Sequence, residues 1–257
     1  MLEALKVIIL GIVEEFIHLE LSESFVEMFN IVIQFGAILA VIMIYFHKLN
    51  PFAKSKTQKQ QMLTIQLWVK VAIATIPAMI CGLLFDDYVD EHFMNAYVVA
   101  AMLIVYGVLY IVVEKRNAHR TPAVTKLTQL TVPMALAIGG FQVLAIIPGT
   151  SRSGATILGG LLIGASRGVA AEFTFFLAIP VMFGWSALKM LKFGFAFTGQ
   201  EFALLILGCV VAFGVSVFAI KFLMQYIKNH DFKVFGYYRI VLGIIVLLYF
   251  GVTALLA

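Results

Sequence analysis

Residues 141–156 read Phe141-Gln142-Val143-Leu144-Ala145-Ile146-Ile147-Pro148-Gly149-Thr150-Ser151-Arg152-Ser153-Gly154-Ala155-Thr156. An apolar run breaks into proline, glycine, hydroxyl side chains and one arginine, and the chain turns apolar again soon after. The segments on either side, 130–147 and 170–190, have the length and composition of membrane spans. Lipid cannot satisfy bare backbone groups, so non-helical chain at membrane depth must line a cavity or be buried in protein. The predicted fold is therefore all-α: a polytopic membrane helix bundle with residues 148–168 as a re-entrant segment.

The whole composition agrees. Hydrophobic residues make up 62% of the 257 residues and charged residues 12%, against about 45–50% and 25% in soluble domains. The apolar residues come in blocks near the roughly 20 that a span needs. Besides the three segments above they are 4–17, 30–47, 66–85 with a kink at Pro77, 95–113, 201–227 and 234–257. The chain reads as a single transmembrane domain, 1–257, with halves 1–113 and 130–257 that suggest an inverted repeat and a site at the repeat interface. The 23 Phe and 11 Met suit lipid-facing and helix-packing surfaces. Cys81 and Cys209 lie in apolar runs and show no disulfide or metal spacing. No cleavage site follows residues 2–17, so the first span is expected to stay attached.

Charge sets the orientation. The formal charge is +4, and its basic residues gather in loops 48–65 and 114–129, which the positive-inside rule places in the cytoplasm. Nothing resembles a nucleic-acid surface. Loop 86–91 carries Asp86, Asp87, Asp90 and Glu91 and falls outside. Segment 130–147 then runs outward and delivers 148–156 to the external half, on the side of Glu14. Lys228 and Lys233 would lie outside, against the rule.

Residues 148–156 carry the chemistry. Gly149 and Gly154 permit a tight path and leave amides free to face a ligand. Thr150, Ser151, Ser153 and Thr156 add hydroxyls, and a helix from 155 would present its N-terminus, which favours an anion. Arg152 sets the sign: its planar fork grips phosphate oxygens with two hydrogen bonds. An ionisable residue at membrane depth is a functional candidate by default. The competing reading is a structural arginine paired with Glu172. Gln142 is expected to bond between helices, and Tyr237, Tyr238 and Arg239 to act as interfacial anchors.

Residues 141–156, continued by Gly164-Ala165-Ser166-Arg167 and by Glu172-Phe173-Thr174-Phe175-Phe176-Leu177-Ala178-Ile179-Pro180-Val181-Met182, resemble the second signature of the undecaprenyl pyrophosphate phosphatase family. Val32-Ile33-Gln34-Phe35-Gly36-Ala37-Ile38-Leu39-Ala40-Val41 is similar to that family as well. The resemblance covers nearly the whole chain. It implies removal of the terminal phosphate of a polyprenyl diphosphate at the outer face of the bacterial cytoplasmic membrane, recycling the carrier lipid of cell-wall synthesis and giving bacitracin resistance. It also implies a divalent cation, magnesium or calcium. On this resemblance Arg152 and Ser151 are catalytic with Glu14, which also takes the metal, and Gly149, Thr150, Ser153, Gly154 and Thr156 bind substrate. The lipid diphosphate and the bilayer are the partners implied; a homodimer and a monomer both stay open.

The first family signature is interrupted. The chain opens as Gly11-Ile12-Val13-Glu14 and passes directly to Glu15-Phe16-Ile17-His18-Leu19-Glu20, so the family's second glutamate, its serine and its histidine have no matching positions. The electrophilic half of the site is present and most of the nucleophilic half is not, although a nucleophile needs a base within hydrogen-bond reach. His18, Glu20, Ser22, Glu23, Ser24 and Glu27 read as a solvated external segment, with Ser22 a helix N-cap. Three functions compete: a polyprenyl diphosphate phosphatase, a phosphorylated-lipid transporter or flippase, and a binding-only inactive relative.

Overall fold

The computed structural model describes residues 22–194 and 198–256. The described residues form ten α-helices: α1 (Glu23–Val32), α2 (Gln34–Ile44), α3 (Phe46–Leu49), α4 (Gln58–Phe93), α5 (Ala96–Asn117), α6 (Val132–Val143), α7 (Arg152–Leu162), α8 (Arg167–Phe193), α9 (Gly199–Asn229) and α10 (Lys233–Leu256). They contain no named strand, and the all-α expectation holds. Six helical segments are long and apolar enough to cross a membrane: Ser24–Ile44, Gln58–Phe85, Ala96–Asn117, Arg167–Phe193, Gly199–Asn229 and Lys233–Thr253. The expected span at 4–17 lies outside the described residues.

Helix starts follow local chemistry. Ser22 Oγ accepts the amide of Phe25 at 3.2 Å, the N-cap expected from sequence. Asn95 Oδ1 accepts from Val98 at 2.9 Å to open α5, and Thr131 Oγ1 accepts from Met134 at 3.4 Å to open α6. One element departs from expectation. α4 is 36 residues long and absorbs 58–65 and 86–91, which sequence reading set in loops. Neither segment contains glycine or proline, so the helix extends past its apolar block until Asn95 caps its successor. Pro77 stands inside it.

Segment 130–168 is not a pair of spans. α6 has 12 residues and α7 has 11, so they are about 18 and 16 Å long against a hydrocarbon thickness of about 30 Å. A 3-10 turn at Leu144–Ile146 follows α6. Gly159 has the Phe141 ring where its Cβ would stand, at 2.7 Å, so the two short helices pack as a tight hairpin.

The chain forms two compact units, with boundaries inside α4, α8 and α9. One takes the described residues to Thr64 together with Ala178–Leu223. Its core joins Phe25, Met28, Phe29, Val32, Ile33 and Leu205. The helix breaks at Ile33, and the carbonyls disturbed there find side-chain donors: Ser186 Oγ donates to Ile31 O at 3.0 Å and Cys209 Sγ to Val32 O at 3.8 Å. Cys209, read as a small hydrophobe, thus also carries a weak hydrogen bond. Gly36 lets the backbones of α2 and α9 touch, since a Cβ there would collide with Cys209 O.

The second unit takes Ile65–Leu177 and Met224–Ala257. α5 and α10 run antiparallel at backbone contact. A Cβ on Gly107 would stand 2.7 Å from Gly236 O, and one on Gly243 2.8 Å from Ala100 O. Small residues let membrane helices approach this closely and gain dispersion contacts that lipid cannot supply. At one end of this pair, the fully buried Glu114 carboxylate accepts from Arg167 Nε at 2.9 Å and from the Phe232 amide at 3.0 Å. The end of α5, the start of α8 and the turn before α10 are thereby tied together.

Overpacking at Gly107 gives the first prediction. Gly107→Val should destabilise the protein by about 1–3 kcal/mol, because Gly236 O is backbone and cannot swing away. Gly251→Ala, in the same helix pair but with open space around it, should leave stability unchanged or slightly higher. Thermal unfolding midpoints in detergent compare the two; equal midpoints would refute the close-packed seam.

Candidate functional site: the cradle at the start of α7

Pro148 and Gly149 turn the chain between the hairpin helices. Gly149 adopts φ +85°, in the left-handed region, and a Cβ there would stand 2.5 Å from Val99 O. Both facts require glycine. The Thr150 amide donates to Ile147 O at 3.1 Å, closing the turn. Gly149 O accepts from Arg239 Nη2 at 2.7 Å. The loop is thus held by α5 on one side and α10 on the other.

α7 then begins with the residues expected to grip a ligand. Ser151 is the N-cap; its Oγ accepts the Gly154 amide at 3.1 Å and lies 3.2 Å from Ser153 Oγ. Capping occupies an oxygen lone pair and leaves the Ser151 proton able to donate. Arg152 occupies the first helical position and is partly exposed, next in the chain to the uncapped amides of the first turn. Those amides and the helix dipole favour an anion at the helix start. Gly154 keeps the turn narrow: its Cβ would meet Tyr110 Oη at 3.2 Å, and Tyr110 donates to Gly154 O at the same distance.

Thr156 sits differently from the other candidates. It is 1% exposed; its hydroxyl donates back to Arg152 O and Ser153 O at 3.1 Å and accepts from Thr174 Oγ1 at 2.9 Å. It joins α7 to α8 beneath the first turn. Thr150 Oγ1 is buried against the Tyr106 side chain. The structure therefore brings Gly149, Thr150, Ser151, Arg152, Ser153 and Gly154 into one cradle and sets Thr156 under it. Glu14, assigned to the cation, lies outside the described residues, as does His18.

Arg239 is the member that sequence reasoning missed. Read as an interfacial anchor beside Tyr237 and Tyr238, it instead reaches Gly149 O, lies 5.8 Å from the Tyr106 ring centroid, and has a buried Nε that is unpartnered among the described residues. The usable signal was its position: an arginine inside an apolar helix is costly unless it has a task. Arg167, in contrast, is taken up by Glu114. Gln142 is 3% exposed, with Nε2 unpartnered among the described residues.

Among the described residues no group of three or more His, Cys, Asp and Glu could hold a metal ion. The cradle offers guanidinium, hydroxyl and amide donors. Such a set suits phosphate oxygens and, by itself, does not suit a divalent cation, which takes oxygen acceptors.

Residues 9–245 match the family described as Bacitracin resistance protein BacA. The Undecaprenyl-diphosphatase of Acetivibrio thermocellus is 54% identical over 268 residues, covering 97% of this chain and 98% of that protein. The Undecaprenyl-diphosphatase of Enterococcus faecalis is 56% identical over 268 residues, covering 96% and 97%. That of Desulfitobacterium hafniense is 57% identical over 246 residues, covering 95% and 88%. The first two matches run over 268 residues where this chain has 257, so those relatives carry residues that this chain lacks. With the family match spanning most of its length and full-length relatives above half identity, the chain belongs to the bacitracin resistance protein BacA family.

Proposed function

We propose that this chain is an undecaprenyl-diphosphatase, hydrolysing undecaprenyl diphosphate to the monophosphate and inorganic phosphate and so returning the carrier lipid to cell-wall synthesis. The observation that carries this reading is the cradle: a glycine-turned loop leads into a helix start capped by Ser151, with Arg152 at its first position and Ser153 beside it. The names of the relatives favour hydrolysis over carriage of an intact lipid.

The bond that breaks joins the terminal phosphorus to the bridging oxygen. Water supplies the new oxygen, and the bridging oxygen leaves on the lipid monophosphate. Charge develops on the equatorial and leaving oxygens, so positioned donors do most of the catalysis. Arg152 grips two of those oxygens, while Ser151, Ser153 and the first-turn amides donate to the others. Arg239 acts through the loop: its hydrogen bond to Gly149 O sets where the cradle stands. Glu14 would hold the divalent cation, magnesium or calcium, which would offset the charge of the diphosphate, since the cradle contains no carboxylate.

Two features support the site of action. The hairpin of α6 and α7 is too short to cross a bilayer, which suits a re-entrant segment. Gly149 touches Val99 in the first turn of α5, whereas Lys115 and Arg116 lie in its last turn. With the basic end in the cytoplasm, the cradle opens towards the outer face of the cytoplasmic membrane.

Phosphate release from undecaprenyl diphosphate by the purified chain, with and without magnesium or calcium, tests the proposal. Arg152→Ala should lower kcat by about 100- to 1000-fold. Release indifferent to this change would sink the cradle. No release at all, with lipid diphosphate binding intact, would make the chain a binding-only relative, the outcome that its interrupted first signature would explain. Gly149→Ala forces a Cβ onto Val99 and should cost roughly 100-fold in activity through displacement of the loop. Arg239→Ala should also reduce kcat, by less than Arg152→Ala, because the loop keeps its contact with α5.

A further inference from the structure

Within the second unit, about 27 Å further along α5 from the cradle, a cavity of about 510 Å³ opens at the basic end. Arg120 and Thr121 line it from the loop after α5, Ser166, Arg167 and Gly168 from the start of α8, and Glu114 from the last turn of α5. A lining with two arginines and hydroxyls is unlike the lipid-facing apolar surface of the same helices.

Its construction repeats the cradle. Gly149-Thr150-Ser151 leads into α7 at Arg152, and Gly164-Ala165-Ser166 leads into α8 at Arg167. Gly164 has φ +89° where Gly149 has +85°. Ser166 Oγ accepts the Val169 amide at 3.4 Å, as Ser151 Oγ accepts that of Gly154. The loop is pinned by paired backbone bonds, Val124 amide to Gly164 O at 3.1 Å and Ser166 amide to Val124 O at 2.8 Å. A Cβ built on Gly168 would meet open space among the described residues.

Arg167 is already paired, and the pairing prepares it for a ligand. Glu114 takes Nε and one edge of the guanidinium, leaving donors on the outer edge, whose side chain is 37% exposed. The carboxylate is fully buried and bonded to Phe232, so it holds the fork in place and its charge is offset by Arg167. Arg120 and the partial positive charge of the α8 N-terminus then leave the cavity net positive.

We propose that this cavity is a second anion site, taking a phosphate group between Arg120, the outer edge of Arg167 and the first turn of α8. The group is either free inorganic phosphate or the phosphate of an anionic lipid headgroup, which share this chemistry. The site does not depend on the chain being a phosphatase.

Binding of radiolabelled inorganic phosphate to the full chain in phosphatidylcholine nanodiscs tests it, with Arg152→Ala as background so that the cradle is disabled. That variant should still bind one phosphate per chain. Adding Arg120→Ala, which removes an exposed side chain, or Gly168→Val, which fills space beside the helix start, should each weaken this binding about tenfold, the loss of one charge-assisted contact. Unchanged thermal unfolding midpoints show that both variants fold. Phosphate binding absent from Arg152→Ala, or indifferent to both added changes, overturns the second site. In phosphatidylglycerol nanodiscs, loss of the retained binding identifies a lipid headgroup as occupant and its persistence identifies free phosphate; either outcome supports the site.

Discussion

Peptide groups taken out of a helix within an apolar bundle must find protein partners, and the break between α6 and α7 depends on those that do. Arg239 serves Gly149 O, Tyr110 serves Gly154 O, and Thr156, itself held by Thr174, serves Arg152 O and Ser153 O. Arg239 of α10 thus serves the open loop itself, while side chains of α5, α7 and α8 hold the first turn of the helix that follows it. A buried group left without a partner costs several kcal/mol in such surroundings, which is why the loop's shape is so fully specified. The same device appears at Ile33, where Ser186 and Cys209 serve the carbonyls beside the break.

The pair of buried Glu114 with half-buried Arg167 works at longer range. A pair of this kind contributes little over apolar packing, yet losing one partner strands a charge at about 3–5 kcal/mol. Its effect is on register. The Phe232 amide bonded to Glu114 fixes where α10 begins, and Arg239 follows two turns later. The Gly107–Gly236 seam prevents α10 from sliding or rotating between these points. The position of Arg239 on the loop is therefore set by an ion pair at the far end of the unit.

Much of this was legible without coordinates. Helix existence followed from apolar blocks, Ser22 from its capping chemistry, and the cradle from glycine, hydroxyl and arginine gathered in one polar interval. Helix ends were less legible, because 58–65 and 86–91 carry no breaker and extend α4 beyond its apolar core. Arg239 escaped because its aromatic neighbours also suit a bilayer interface, and only packing against α5 turns it to Gly149. Thr156 shared the cradle's composition, but one helical turn directs its hydroxyl to the backbone rather than to a ligand.

By itself, then, the sequence determined the solvent, the helical class, the family and the short polar segment proposed to grip phosphate, since each follows from composition or from residues adjacent in the chain. Tertiary structure decided what depends on distant residues meeting. It paired Arg167 with Glu114, 53 positions away, brought Arg239 to Gly149 across 90 positions, and repeated the glycine–serine–arginine turn at both ends of α7 in different surroundings. The physical reason is that a local pattern specifies which groups need partners, whereas helix packing specifies which partners they find.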